Sequence, residues 1–139
     1  MKKYLPAVLT LCLLIGQACQ KDDPAPEPTM FERLTGEWHI HEKIVDGTSE
    51  AITDCVKNTS FVFDAERNFI LNNYALSATD ECLLSQVTGT YILDEETKVL
   101  IFQSSDDDEL ASFNITSITA NQLKLQPTES DYVLVFNKN

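Results

Sequence analysis

From Leu34 onward the sequence is a succession of short segments in which apolar and polar residues alternate, separated by short polar connections. The segments are rich in Val, Ile, Phe, Tyr and Thr, and an alternating pattern places every second residue on the same face of a strand. Eight segments predict strands: 37–45, 59–63, 68–72, 86–93, 98–103, 111–118, 122–126 and 131–137. The connections offer no long crossover, so we predict an all-β, antiparallel meander.

Closing the meander into an eight-stranded up-and-down barrel would remove both sheet edges, and we predict this fold. An open β-meander or a two-sheet sandwich has the same alternation and remains the alternative. In the first segment, Ile44 is expected on the same face as Trp38 and Ile40. The seventeen residues predicted to face inward are Trp38, Ile40, Phe61, Phe63, Phe69, Leu71, Tyr91, Leu93, Leu100, Phe102, Phe113, Ile115, Leu123, Leu125, Tyr132, Leu134 and Phe136. Nine of these are aromatic, which favours a filled or narrow interior.

Residues 1–18 predict a secretory signal peptide, because two lysines precede about a dozen mostly apolar residues, fewer than the roughly 20 that a spanning helix needs. The end of this segment, "IGQAC", resembles the lipobox of bacterial lipoproteins, which implies that Cys19 becomes the first mature residue and is acylated, for example with palmitate. A secreted protein without lipid is the alternative.

The next residues, "QKDD" (20–23), resemble an export signal that places lipoproteins on the outer face of the outer membrane, with the periplasmic face as the alternative. The rest of the segment 19–30 is rich in proline and acidic residues and predicts an extended linker to a domain at 31–139.

The formal net charge is −12, and removal of the signal peptide with its two lysines would leave −14. Binding to phosphate groups needs clustered Lys and Arg, which this chain lacks, so we expect no nucleic-acid partner.

Two of the four cysteines remain for the domain, since Cys12 lies in the signal and Cys19 in the lipobox. An oxidising envelope compartment favours a disulfide between Cys55 and Cys82. A zinc site is the alternative, although two thiols without a CxxC motif make a poor structural site.

The stretch "LTGEWHI" (34–40) resembles the G-x-W opening strand of lipocalins, with Gly36 and Trp38 in the motif positions. The later stretches "DCVKNTSFVFDAERNFIL", "VTGTYIL" and "YVLVF" are similar in order to the small lipocalin-like domain of bacterial surface lipoproteins. The resemblance spans about residues 31–138 and places Cys55 and Cys82 at that domain's two cysteines. Larger lipocalins also carry an arginine near the last strand that packs over the tryptophan, and a C-terminal helix. Here the chain ends "YVLVFNKN", with neither.

The resemblance implies a non-catalytic binding module for a small apolar ligand, held in the barrel or at its open end. We predict that residues 73–85 form the longest loop, a lid or rim tied down by the disulfide. The candidate ligand contacts are Trp38, Tyr74, Leu76, Leu83, Leu84, Tyr91 and Phe102. For Trp38 the alternative is a core plug at the closed end of the barrel.

We predict no metal, no cofactor and no catalysis. His39 and His41 are expected on the outward face of the first strand with Lys43, and no third ligand is identified. The acidic run "SSDDDEL" (104–110) lacks the spacing and the glycine of a calcium loop and predicts a solvated hairpin tip. No nucleophile–base pair or G-x-S-x-G turn is present. The alternative to a binding module is therefore a structural or interaction module that meets another envelope protein.

Overall fold

The computed structural model describes residues 25–106 and 108–138. The predicted signal peptide, Cys19 and the 20–23 segment lie outside the described residues. The elements are α1 Met30–Leu34, β1 Gly36–Val45, β2 Thr48–Glu50, a 3₁₀ turn Val56–Asn58, β3 Ser60–Phe63, β4 Asn68–Leu76, β5 Cys82–Asp94, β6 Val99–Gln103, β7 Glu109–Ile118, β8 Gln122–Pro127 and β9 Val133–Lys138. In this part of the chain, no helix is long and apolar enough to cross a membrane.

Eight antiparallel strands close into a barrel, in the order β1, β3, β4, β5, β6, β7, β8, β9. The closing contact is between the first and last strands, with a register that runs from Trp38 opposite Lys138 to Ile44 opposite Val133. The predicted barrel is confirmed, and the open meander and sandwich are wrong, because β1 pairs on both of its edges.

Strand β2 is short and was not predicted. It is not one of the eight strands that form the barrel. It pairs with the end of β1, where Val45 lies opposite Thr48. The two residues between these strands, Asp46 and Gly47, both have positive φ, 49° and 76°. Asp-Gly is the preferred pair for such a two-residue hairpin turn, so the signal for β2 was present in the sequence.

A β-bulge in β1 corrects the predicted faces of that strand. The register with β9 shifts between Ile40 and Glu42, which inserts one extra residue. Beyond the bulge, Lys43 lies opposite Leu134, whose side chain packs against the core. The prediction that Ile44 faces inward and Lys43 outward is therefore wrong, because one inserted residue exchanges the two faces.

The core lies inside the barrel and matches most of the predicted inward set. Three of the seventeen residues, Leu71, Phe113 and Leu134, are half-buried and pack against the core from its edge. Tyr132 differs, since it precedes β9 and is half-buried. Its ring instead lies under the ammonium group of Lys43, 4.9 Å from Nζ. The other thirteen predicted residues are buried.

The two ends of the barrel differ, and we call them the helix end and the hairpin end. At the helix end, α1 begins with a capping box in which the backbone N–H groups of Thr29 and Glu32 each donate to the other residue's side chain, at 2.7 and 3.1 Å. Leu34 of this helix is fully buried in the core. At the hairpin end lie the β1–β2, β4–β5, β6–β7 and β8–β9 connections.

The segment 73–85, predicted to be a loop, is mostly strand. Strands β4 and β5 stay paired as far as Leu76 opposite Cys82, and only residues 77–81 form the turn. The Ser77 backbone N–H donates to the Glu81 carbonyl at 2.8 Å and closes the hairpin. The alternation was not visible in the sequence because apolar and polar residues are mixed on both faces of this hairpin.

Candidate functional site

The interior of the barrel is occupied by packed aromatic rings. Phe102 is 3% exposed and contacts four rings, those of Phe61, Phe63, Phe69 and Phe113, at centroid distances of 4.6–6.0 Å. Several of these pairs are stacked or edge-to-face, arrangements that add to the stability gained from burial alone. Phe102, a candidate ligand contact, is therefore the centre of the core rather than part of an accessible surface.

Tyr91, a second candidate, is 1% exposed and packs edge-to-face on Phe63. Its hydroxyl donates to the Asp64 carbonyl at 3.1 Å, which satisfies the polar end of the ring. Burial raises the pKa of the Tyr91 phenol, and the nearby Arg67 guanidinium opposes that rise. The phenol is therefore neutral at physiological pH and acts as a core residue.

Trp38 is fully buried at the helix end. Its indole N–H donates to the Leu34 carbonyl at 2.7 Å, at the C-terminal end of α1. The indole therefore closes the barrel at the helix end and is not exposed to solvent, in agreement with the core-plug alternative. Trp38, Tyr91 and Phe102 are therefore all core residues, and none of their side chains is accessible at the surface.

Lys138, which was not among the predicted site residues, holds the same end of the barrel together. Its ammonium group donates to the carbonyls of Arg33 and Thr35, at 3.1 and 2.6 Å, and lies 4.9 Å from the centroid of the Trp38 ring. The last carbonyls of a helix lack partners within the helix, so this one side chain satisfies two of them. A signal was present, because Lys138 continues the inward alternation of Leu134 and Phe136.

The remaining candidates lie together at the hairpin end. Leu76, Leu83 and Leu84 are 45%, 52% and 53% exposed, and Tyr74 is half-buried opposite Leu84 on the same hairpin. Leu110, at a bulge between β6 and β7 at this end, is 48% exposed. The candidate residues therefore fall into two separate groups, a buried one and an exposed one, and only the exposed group can touch a ligand without unfolding the barrel.

Residues 51–59, which we call the cover, lie over the hairpin end. Ile52 and Val56 of this segment pack against the core. Thr59 joins it to two strands, since its carbonyl accepts from the Ile40 N–H at 2.9 Å and its hydroxyl accepts from the Tyr74 N–H at 3.0 Å. At this end the segment that packs over the core is therefore 51–59 and not the predicted 73–85.

Cys55 of the cover and Cys82 at the start of β5 form the predicted disulfide, with a Cα–Cα distance of 5.5 Å. The zinc alternative is therefore wrong. The bond closes a loop of 27 residues and ties the cover to the protruding hairpin. In the chain-entropy model, a loop of this length contributes about 3.5 kcal/mol.

Polar residues of the outer surface make local pairs. His39 lies 3.2 Å from the Glu37 carboxylate, and His41 occupies the bulge of β1. Across the described residues, no group of three or more His, Cys, Asp or Glu side chains could hold a metal ion. In the β6–β7 connection, the Ser104 N–H donates to the Asp108 carbonyl at 2.9 Å, which forms the expected hairpin tip.

The family model for the lipocalin-like domain matches residues 34–125, more than half of the chain. The chain belongs to the lipocalin-like domain family. No curated protein matches its sequence.

Two solved structures from Bacteroides uniformis have the same lipocalin-like fold. One is the crystal structure of a lipocalin-like protein, with a TM-score of 0.54, 16% identity, and coverage of 77% of this chain and 99% of the other. The second is an NMR structure, with a TM-score of 0.56, 15% identity, and coverage of 79% and 92%. At these identities the likeness establishes the fold.

Within the lipocalin-like barrel, two physical reasons explain why a glycine occupies the first position of the G-x-W motif. Gly36 has φ of +128°, a conformation that residues with a Cβ rarely adopt. A Cβ at this position would also lie 2.6 Å from Cε of Lys138. The same lysine packs over the ring of Trp38, so Gly36, Trp38 and Lys138 form one contact at the helix end.

Membership of the lipocalin-like family favours a binding role, because proteins of this family are generally binding proteins rather than enzymes. The absence of catalysis stays a prediction for this chain.

Proposed function

We propose that this protein is a non-catalytic, lipid-anchored binding module of the outer membrane that meets its target with the hairpin end of the barrel. In this proposal the signal peptide 1–18 is removed, Cys19 carries the lipid, and residues 20–29 space the domain from the membrane, since Met30 already belongs to α1. Residues 25–29 are exposed and have no regular structure, which supports the role of a spacer.

The site of binding is inferred from the difference in side-chain exposure between the barrel interior and the hairpin end. Trp38, Tyr91 and Phe102 are at most 3% exposed, whereas Leu76, Leu83 and Leu84 are about half exposed. An exposed apolar group next to a packed core is typical of an interaction surface.

The position at which the linker enters the domain also favours the hairpin end as the binding site. The linker enters at Met30, the first residue of α1, and α1 packs at the helix end of the barrel. The linker therefore joins the domain at the helix end, and the hairpin end lies on the far side of the barrel from that junction.

The filled interior favours another envelope protein as the target. A small apolar molecule, which the family resemblance suggests, is the second candidate. It would bind against Leu76, Leu84 and Tyr74, which share the outward face of the hairpin, outside the barrel. Each of these leucines is about half exposed, so covering the remaining half contributes about 1 kcal/mol per side chain, which supports only weak binding of a small molecule.

The anchor is tested by labelling cells with an alkyne analogue of palmitate. The native chain and a Cys12→Ser control should both incorporate the label, whereas Cys19→Ser should not. Incorporation into Cys19→Ser would contradict the lipid anchor.

Surface exposure is tested by adding protease to intact cells. Loss of the domain from intact cells supports the outer face, and its protection until the outer membrane is opened would assign the periplasmic face.

Native mass spectrometry of the protein purified from its own envelope separates the two targets. A reproducible bound small molecule, lost in a Leu83→Ser, Leu84→Ser variant, would favour the small ligand. A mass equal to that of the lipidated chain in every preparation favours the protein target.

A further inference from the structure

We infer that the free edge of β5, from Cys82 to Gly89, is a docking strand for an extended, positively charged segment of a partner protein. The partner segment would add a strand to the sheet and lay alternate side chains against the exposed leucines. The inference rests on the proposed function of the hairpin end and names the chemistry of its target.

The edge is defined by two strand registers of different length. β4 pairs with β5 from Cys82 to Thr90, whereas β6 pairs with β5 only from Thr90 to Asp94. On the side away from β4, the ladder of the described strands therefore leaves residues 82–89 without a neighbouring strand. Every second residue of such an edge directs its N–H and C=O groups outward, where they can pair with another chain.

The composition of this edge is unlike that of a protected one. Proteins usually guard an exposed edge with charged side chains, especially Lys, or with Pro. The edge sequence "CLLSQVTG" contains none of Lys, Arg, Asp, Glu or Pro. Leu83 and Leu84 lie next to each other on opposite faces of the strand, and each is about half exposed. An added strand would cover apolar surface on both faces.

The edge is also held in place, which lowers the entropy lost on binding. Cys82 at its start is bonded to Cys55 of the cover, and the Ser77 hydroxyl accepts from the Glu81 N–H at 3.0 Å in the adjacent turn. At the other end, a Cβ on Gly89 would overlap the Gln103 carbonyl oxygen, so the β6 backbone packs against β5 there and the free edge ends at this residue.

The charge of the hairpin end determines which kind of partner segment is favoured at this edge. Ten exposed acidic residues are described at the hairpin end: Asp46, Glu50, Asp54, Asp80, Glu81, Asp106, Asp108, Glu109, Glu129 and Asp131. The lysines described at this end, Lys43 and Lys57, lie 3.2 Å from Glu50 and 2.7 Å from Asp54, in ion pairs. The hairpin end therefore has a large excess of negative charge.

The excess of negative charge at the hairpin end disfavours two other binding partners. A second copy of the chain would bring the same negative charge to the contact, and anionic lipid headgroups would be repelled. A segment that alternates lysine or arginine with apolar residues matches both the acidic surroundings and the apolar edge.

The test uses the lipidated mature chain in detergent and a synthetic peptide of alternating lysine and valine, with a glutamate–valine peptide of the same length for comparison. Binding is measured by fluorescence anisotropy, and the site by hydrogen exchange. The lysine peptide should bind and slow the exchange of amides in residues 82–89, and the glutamate peptide should not bind.

A matched pair of variants on β5 distinguishes the edge from general charge attraction. Leu84→Lys places a cation on the free part of the strand, and Ile92→Lys places one where β6 is already paired. Leu84 and Ile92 share the outward face and are 53% and 46% exposed, so both variants should fold. Binding should weaken about tenfold in L84K and remain within about twofold in I92K.

Equal weakening in the two variants, binding without protection of residues 82–89, or absence of binding would overturn the inference. Self-association of the chain in sedimentation would replace the cationic segment by a second copy. These results leave the anchor and the hairpin-end proposal intact, because palmitate labelling, protease accessibility and a bound small molecule test those separately.

Discussion

The contact of Lys138 with α1 and Trp38 provides the sharpest test of how the barrel is closed at the helix end. Lys138→Met keeps most of the apolar stem and removes the ammonium group, so the carbonyls of Arg33 and Thr35 lose their donor. Hydrogen bonds to a charged group contribute about 1.5–3 kcal/mol each. A cation over a buried tryptophan contributes about 1–2 kcal/mol.

The full sum is not expected, because Lys138 and the two hydrogen bonds are half-buried, so water can replace part of the lost interaction. We expect K138M to lower the free energy of unfolding by about 2–4 kcal/mol. For a domain of about 110 residues this corresponds to a fall in Tm of about 10 °C. Lys138→Ala should cost about 1 kcal/mol more, since it also removes the methylene groups that lie against Gly36. Lys138→Arg should remain within about 1 kcal/mol of the native chain, because the guanidinium group also donates to both carbonyls.

The chain contains one tryptophan, so its fluorescence reports directly on this contact during urea unfolding. Lys124→Met is a suitable control, because Lys124 lies opposite Val135 on the outer side of the neighbouring strand β8. It should change stability by less than about 0.5 kcal/mol. If K138M and K124M are equally stable and share the native m-value, Lys138 does not close the barrel.

Three further predictions concern the cover, the β5–β6 contact and the β3–β4 turn. Replacing Cys55 and Cys82 by serine should lower the free energy of unfolding by about 3.5 kcal/mol and speed hydrogen exchange in residues 51–59, and unchanged exchange there would separate the cover from the disulfide. Gly89→Ala should cost about 2 kcal/mol or more in denaturant unfolding, since its Cβ would overlap backbone; a variant as stable as the native chain would contradict the close approach of β6 to β5. Hydrogen bonds from the side chain and backbone of Asn68 lower the pKa of Asp64 below 3.8. The carboxylate therefore stabilises the fold above pH 3.8, and this contribution is lost as the pH falls through the lowered pKa. Asp64→Asn should be less stable at neutral pH and should show a flatter acid-unfolding curve, and an unchanged curve would exclude this contribution.

Much of the fold was determined by the sequence alone. Alternation with a period of two predicted the eight barrel strands, because a strand with one buried face must repeat its apolar residues at that spacing. The same pattern identified most of the core, including the aromatic residues that fill it. Cys55 and Cys82 were identified as a pair once the cysteines near the N-terminus were assigned to other roles.

The tertiary structure decided the features that depend on contacts between distant strands. A bulge at His41 exchanged the faces of Ile44 and Lys43, and a bulge depends on the register with β9 rather than on any local residue type. The hairpin that contains Leu83 and Leu84 was predicted as a loop, because neither face is uniformly apolar.

Closure itself required both ends of the chain. The pairing of β1 with β9, and the approach of Lys138 to carbonyls more than 100 residues away, exist only when the first and last strands meet. The distinction between buried and exposed candidates had the same origin. Trp38, Tyr91 and Phe102 were chosen beside Leu76, Leu83 and Leu84 because all are apolar or aromatic. Only closure of the barrel decides that the first three form the core and that the leucines remain at the surface.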